Sequence, residues 1–309
     1  MAATKARNQK IPQAPRRTSP VLSIQRGWLP YAVGAGVVVI AVALFAVQRN
    51  TTTGSAPAGV GLPNASDYHS LLVSQNDPNT LLLGTHQGIY RSSDGGLHWA
   101  TYRLGGQDAM NLARPSGRGT IWMAGHQVFA KSTDGGDNWQ PLQPTSLPSL
   151  DLHGFAVDPR NPETVYAAVA GIGLFRSDDG AVKFNQVSLQ VGGSVMALAV
   201  TARGEILAGD MQRGLLASSD SGKTWREVLN AQLAGLAINP SNPRQILAAG
   251  PGIFRSVDGG THWAQVAHID AGAGPVTWSP SDPRLAFAVG FDRVLYRSTD
   301  AGATWAPVA

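Results

Sequence analysis

The sequence predicts an all-β fold: a six-bladed β-propeller of four-stranded blades, preceded by one transmembrane α-helix. Three observations predict it. A boxed segment built on the pattern Ser-x-Asp-x-Gly-x-Thr-Trp, with substitutions at its Gly, Thr and Trp places, recurs six times at near-constant spacing. The intervals between boxes hold short apolar runs divided by Pro, Asn, Asp and Gly turns. A 20-residue apolar segment without a charge stands near the N-terminus.

Taken in chain order, residues 1–26 form a basic tail predicted to be cytoplasmic. It carries Lys5, Arg7, Lys10, Arg16, Arg17 and Arg26 and no acid. The helix, residues 27–48, is built on Trp28–Val47, WLPYAVGAGVVVIAVALFAV. At 1.5 Å per residue that length spans roughly 30 Å, the thickness of a hydrocarbon core. Trp28 and Tyr31 sit at one end, where interfacial aromatics belong. Six basic residues precede the segment and Arg49 alone follows closely, so the positive-inside rule places the N-terminus in the cytoplasm. The competing interpretation is a cleaved signal peptide, whose apolar region is about 7–15 residues. Leu44-Phe45-Ala46 offers no good cleavage site. Residues 49–66 are predicted to be a flexible linker, and 67–309 the propeller, held in the periplasm or outside the cell.

The net charge of +4 divides unevenly. Of 24 Lys and Arg, seven lie before residue 51, leaving 17 against 20 acids and a folded part near −3. The basic charge is a tail, and no nucleic-acid surface is predicted. The absence of cysteine excludes disulfides, thiolate nucleophiles and Cys-ligated metals.

The boxes start at Ser92, Ser132, Ser177, Ser218, Ser256 and Ser298, separated by 40, 45, 41, 38 and 42 residues. Their aspartates are Asp94, Asp134, Asp179, Asp220, Asp258 and Asp300. Each repeat supplies a first apolar run (Phe155-Ala156-Val157), a turn (Asp158-Pro159) and a second run (Thr164–Ala168). A third strand (Leu174-Phe175), the box and a fourth strand complete it. Four strands of about five residues per forty-residue repeat make one blade. The box is predicted to be the hairpin between strands three and four. Its Asp accepts backbone N–H groups, its second Gly takes a positive φ, and its Trp packs between layers. The third box has Ala181 and Phe184 in place of Gly and Trp, so its hairpin is expected to be the least regular. The last box ends four residues before the C-terminus, so the ring is expected to close without exchanging a strand, with Val60-Gly61-Leu62 a candidate edge strand.

On these residues the chain resembles the Asp-box (BNR) repeat proteins. That group includes sialidases, sortilin-type ectodomains, Asp-box glucanases and photosystem II assembly factors. The resemblance covers nearly all of 67–309 and implies the propeller fold, with enzyme sites on the face opposite the boxes. The chain departs from the sialidase pattern: it has no Arg-Ile-Pro motif, and only Arg213 and Arg293 map to that face.

Four histidines map there. His69 and His153 take equivalent places on the inner strands of blades one and three. His86 and His126 take equivalent places after the second strands of blades one and two, and Asp210 a similar place in blade four. Imidazoles and a carboxylate converging on a channel mouth could bind a divalent metal or a polar ligand. The alternative is that duplication copied them and they only hydrogen-bond loops. His98 and His262 stand at the Thr position of boxes. No motif identifies a catalytic residue. Carboxylate pairs for a glycosidase are limited to Asp210 with Asp292 or Asp67 with Asp151. The expected function is a membrane-tethered extracytoplasmic module that binds or assembles a protein or glycan partner. The alternative is an extracytoplasmic glycoside hydrolase-like enzyme with its site opposite the boxes.

Overall fold

The structure, a computed structural model, describes residues 59–115 and 119–308. The predicted tail, transmembrane helix and linker up to residue 58 lie outside them. Among the described residues no helix is long and apolar enough to cross a membrane.

The described chain is a ring of six antiparallel sheets. Blade one holds β1 (Gly59–Val60), β2 (Ser70–Val73), β3 (Leu81–Thr85), β4 (Gly88–Ser92) and β5 (His98–Arg103). Blade two holds β6 (Asn111–Ala113), β7 (Ile121–Gly125), β8 (Val128–Ser132) and β9 (Gln140–Pro141). Blade three runs β10 (Leu152–Val157), β11 (Val165–Val169), β12 (Gly173–Ser177), β13 (Asn185–Ser188). Blade four runs β14 (Val195–Val200), β15 (Ile206–Asp210), β16 (Gly214–Ser218), β17 (Arg226–Leu229). Blade five runs β18 (Gly235–Ile238), β19 (Ile246–Ala249), β20 (Ile253–Ser256), β21 (Ala264–Ala267). Blade six runs β22 (Ala273–Trp278), β23 (Ala286–Gly290), β24 (Leu295–Ser298), β25 (Ala306–Pro307). Each sheet is a meander in sequence order. The first strands touch in sequence around the axis, and β22 returns to β2.

Burial follows composition. The second strands, such as Val-Tyr-Ala-Ala-Val in β11 and Ala-Phe-Ala-Val-Gly in β23, are buried at every position. Both their faces are covered by neighbouring blades, so they read as continuous apolar runs. In blades two to six the fourth strands are outer edges, and they carry residues such as Arg226-Glu227 or Asn185-Gln186 toward solvent. Charged or polar edges of this kind discourage pairing with other chains.

The ring closes as the sequence predicts. All four strands of blade six come from the C-terminal stretch, and β1 adds a fifth, outer strand to blade one by pairing with β5. Closure rests on apolar packing of Leu71, Leu81 and Leu83 against Phe287, Val289 and Leu295. Gly96 lies at this seam with φ 97°, and a Cβ there would stand 2.1 Å from Leu295 Cδ2 and displace that side chain.

The boxes are hairpin staples between strands three and four. Asp220 Oδ1 accepts the Lys223 and Thr224 N–H groups at 3.0 and 2.9 Å, and Thr224 Oγ1 donates to Oδ2 at 2.6 Å. His98 and His262 substitute for that Thr through Nδ1, each 2.6 Å from the box carboxylate. The first Ser is a second hub that motif reading did not isolate. Ser132 Oγ accepts the Gly136 N–H at 2.9 Å and donates to Asp134 Oδ1 at 2.8 Å, and the residue is 1% exposed. Both residues after the Asp are left-handed in all six boxes, from 60° at Ala301 to 102° at Gly136, where only the second was expected to be.

The third box corrects the expectation of irregularity. Asp179 Oδ1 still accepts Val182 and Lys183 N–H, Ser177 still bridges to Asp179 and Ala181, and Ala181 takes φ 71° without glycine. What changes is the ring. The other boxes send the Trp Nε1 to the second turn residue's carbonyl, as Trp139 does to Gly136 at 2.9 Å. Phe184 instead packs edge-on against Phe129, in a cluster with Trp122 and Phe155.

A seven-residue histidine and aspartate band

Opposite the boxes, the connections into each first strand meet the hairpins joining strands two and three. His69 precedes β2 and His86 turns the β3–β4 hairpin. Asp108 lies in the connection entering β6, and His126 turns the β7–β8 hairpin. Asp151 and His153 flank the first residue of β10, and His126 pairs with Asp151 as an isolated bridge between blades two and three. Glycine lets these connections approach. A Cβ on Gly125, the last residue of β7, would lie 2.0 Å from the Asp108 carbonyl oxygen, and one on Gly84 lies 2.2 Å from that of Ala109.

The predicted histidines meet in one band, interleaved with three aspartates. Asp67 Oδ1 lies 3.2 Å from His69 Nε2 and Asp67 Oδ2 2.8 Å from His86 Nδ1. His69 Nε2 and His86 Nε2 face one another at 3.0 Å. Asp108 Oδ2 stands 3.4 Å from His86 Nε2 and 2.5 Å from His126 Nδ1. His126 Nε2 and His153 Nε2 again face at 3.0 Å, and Asp151 Oδ1 lies 3.3 and 3.2 Å from them. Burial pushes the His69 imidazole below its ordinary pKa, with Asp67 opposing. Asp108 is the most enclosed member, its side chain 10% exposed.

Asp210 does not join this band. It is buried in blade four, where its carboxylate accepts the Ser194 hydroxyl, the Gln212 and Arg213 N–H groups and the Arg213 guanidinium. Burial alone would raise its pKa, but these donors outweigh burial and hold it below the usual carboxylate range. Its role is to lock the β15–β16 turn. Of the carboxylate pairs weighed from sequence, Asp292 is likewise engaged, accepting the Tyr296 hydroxyl at 2.6 Å. Asp67 and Asp151 both belong to the band. His98 and His262 are box residues, as expected.

Two features went unseen in the sequence. Asp108 stands three residues before β6, as Asp67 stands three before β2. Repeat alignment of that position could have found it. Arg114 lines an axial cavity of about 640 Å³ enclosed mainly by first-strand residues such as Leu72, Met196 and Ala199. It is the one Lys, Arg, Asp or Glu among the described residues of that lining. Its Nη1 donates to the Val73 carbonyl at 2.6 Å, and burial pulls its pKa to about 10.

The family model for photosynthesis system II assembly factor YCF48 matches residues 60–307. No curated protein matches the sequence. Among solved structures the chain is similar to a GH74 xyloglucanase from Xanthomonas campestris, at 18% identity and TM-score 0.58 over 83% of this chain and 47% of that one. It is similar to a GH74 enzyme of Niastella koreensis at 15% identity and TM-score 0.52, over 77% and 46%. It is also similar to YCF48 bound to D1 peptide, at 16% identity and TM-score 0.50, over 82% and 84%. The chain thus spans about half the length of either GH74 protein, and likeness at these identities concerns the fold.

Proposed function

We propose, because the chain belongs to the photosynthesis system II assembly factor YCF48 family, that it is a binding module holding a segment of a partner protein on the face opposite the boxes. A similar propeller is known bound to a D1 peptide. The observation that carries the reading here is a set of exposed apolar side chains at connections of that face. Ile172, Met211 and Phe291 occupy hairpin tips, and Leu189 the loop after β13. Single exposed apolar residues are ordinary, but Ile172, Leu189 and Met211 cluster on the adjacent blades three and four, with Phe291 on blade six of the same face, and exposed apolar groups gathered on one face offer a surface that a partner covers.

The same reading gives the propeller a single-pass anchor at residues 27–48 and a position outside the cytoplasm. It is supported by the uncharged run Trp28–Val47 and the basic residues before it. A C-terminal fusion to an enzyme active only outside the cytoplasm should be active, and activity only from a cytoplasm-dependent reporter would reverse the topology.

The binding reading is tested by crosslinking the full chain in its native membranes. Leu189→Asp and Phe291→Asp should lose the crosslinked partner. Val182→Asp and Val257→Asp alter exposed apolar residues inside the boxes and should keep it. Equal loss from both sets, with folding intact, would move the binding surface off this face.

A further inference from the structure

We propose that the histidine and aspartate band is a metal centre, holding one divalent first-row transition-metal ion in each of two groups. The first group is Asp67, His69 and His86; the second is His126, Asp151 and His153. This inference does not depend on the partner-binding reading.

In the second group two imidazole Nε2 atoms face at 3.0 Å. Without a cation, one must donate to the other. Asp151 Oδ1 stands 3.3 and 3.2 Å from the same two nitrogens, is buried, and makes no hydrogen bond. Both oxygens of Asp108, nine-tenths buried, also lack a bond of hydrogen-bonding geometry despite their closeness to imidazoles. Leaving ionised oxygens buried without donors is costly. A cation placed among the three ligand atoms satisfies both nitrogens and the oxygen together.

The distances fit that cation. Two ligands bound at about 2.1 Å stand roughly 3.4 Å apart at the tetrahedral angle and roughly 3.0 Å apart at right angles; the facing Nε2 atoms stand 3.0 Å apart in both groups, and Asp151 Oδ1 lies 3.3 and 3.2 Å from its two nitrogens. In both groups the second nitrogen of the hairpin histidine faces a carboxylate. His86 Nδ1 is 2.8 Å from Asp67, and His126 Nδ1 is 2.5 Å from Asp108. In the second group Asp108 is not a ligand, and an outer carboxylate in its place fixes the tautomer and orientation of a metal-bound imidazole; in the first group Asp67 offers Oδ1 beside His69 and Oδ2 to His86 Nδ1. Two imidazoles and one carboxylate without thiolate suit zinc, iron, nickel or copper rather than calcium or magnesium. A middle group of His86, Asp108 and His126 also converges, but it shares both hairpin histidines with the end groups. Its aspartate is therefore assigned to orientation. His86 and His126 are partly exposed, which leaves each ion coordination positions open to solvent.

Zinc is the probe. Equilibrium dialysis of the full-length protein at neutral pH should give two saturable equivalents per chain. His126→Asn with His153→Asn should remove one, and His69→Asn with His86→Asn the other. Asp108→Asn should weaken binding roughly 10–100-fold. His268→Asn, at an exposed residue paired only with Asp270, should change nothing. Zinc should also raise the melting temperature of the unmodified protein, reversibly with a chelator, and cobalt should give an absorption spectrum of nitrogen ligation. These two measurements decide the matter if a variant does not fold. No saturable zinc, or zinc retained by a folded fourfold variant, overturns the proposal. A single equivalent abolished by either pair overturns the assignment of two ions.

Discussion

Ser132→Ala tests what the boxes do. The hydroxyl accepts the Gly136 N–H at 2.9 Å and donates to Asp134 Oδ1 at 2.8 Å, in a residue 1% exposed. Alanine fits the space but leaves the buried Gly136 N–H without an acceptor. An unsatisfied buried donor costs about 1–3 kcal/mol. Asp134 is largely exposed and keeps the Asn138 N–H and Nδ2 donors at 2.9 and 2.8 Å, so loss of the Ser donor adds little. The expected destabilisation is therefore about 2 kcal/mol. Denaturant unfolding should show it as a lower midpoint with unchanged slope. Hydrogen exchange localises it: the Gly136 amide should exchange roughly 30-fold faster, since 1.4 kcal/mol is a factor of ten. The Gly302 amide, held by Ser298 in blade six, should not change. Ser93→Ala, at an exposed box position, should stay within about 0.5 kcal/mol of the parent. If Ser132→Ala behaves like Ser93→Ala, and Gly136 exchanges at its original rate, the serine hub contributes nothing and the account of the box is wrong.

Three further outcomes are expected. Gly125→Ala drives a Cβ to 2.0 Å from the Asp108 carbonyl oxygen; it should lower the melting temperature and weaken zinc binding together, and unaltered zinc affinity would refute the close approach. Asp210→Asn should cost about 1–3 kcal/mol through its Ser194 and Arg213 partners yet leave zinc stoichiometry untouched, which a metal titration of the folded variant reads directly. Asp94 and Asp300 are held at about 2, below the ordinary 3.8: at Asp300 the Thr304 hydroxyl and N–H donate, and at Asp94 the His98 and Ser92 donors outweigh burial. Because folding depresses these values, the stabilisation is complete above pH ~4 and lost as pH falls toward ~2. Melting temperature followed over that window should drop, and Asp94→Asn with Asp300→Asn should flatten the curve.

The boxes and blades were legible because their causes are local. A left-handed turn, a carboxylate within four residues of the amides it accepts and an indole at a fixed offset all leave marks in eight consecutive residues. Box three was misjudged by the same locality. The hydrogen bonds that define it depend on Ser177 and Asp179, which are present, while Phe184 in place of Trp packs into the cluster that holds Trp122 of the neighbouring blade. The four histidines were legible as repeat equivalents. Asp108 was not placed with them because no histidine accompanies it in its own connection; its contact with His126 arises only when the β7–β8 hairpin folds back over it. Asp210 was misplaced for the converse reason. Its position in the repeat resembles the histidines' positions, but Ser194 and Arg213 consume its acceptors.

The division between the two faces follows from this chemistry. Each box spends its polar atoms on itself. Ser, Asp and the Thr-position residue bond one another and the turn amides, and both turn residues are committed to positive φ. Six turns under that constraint can vary little in what they present to a ligand. The hairpins opposite share no such closed network. Their tips are His86-Gln87, His126-Gln127, Gly171-Ile172, Met211-Gln212 and Phe291-Asp292. The register of the sheet fixes where these residues stand but not which ones they are, so blades one to three can collect imidazoles while blades three, four and six expose apolar groups. A propeller stapled on one face thus leaves binding chemistry to the other, where both the metal band and the apolar surface lie.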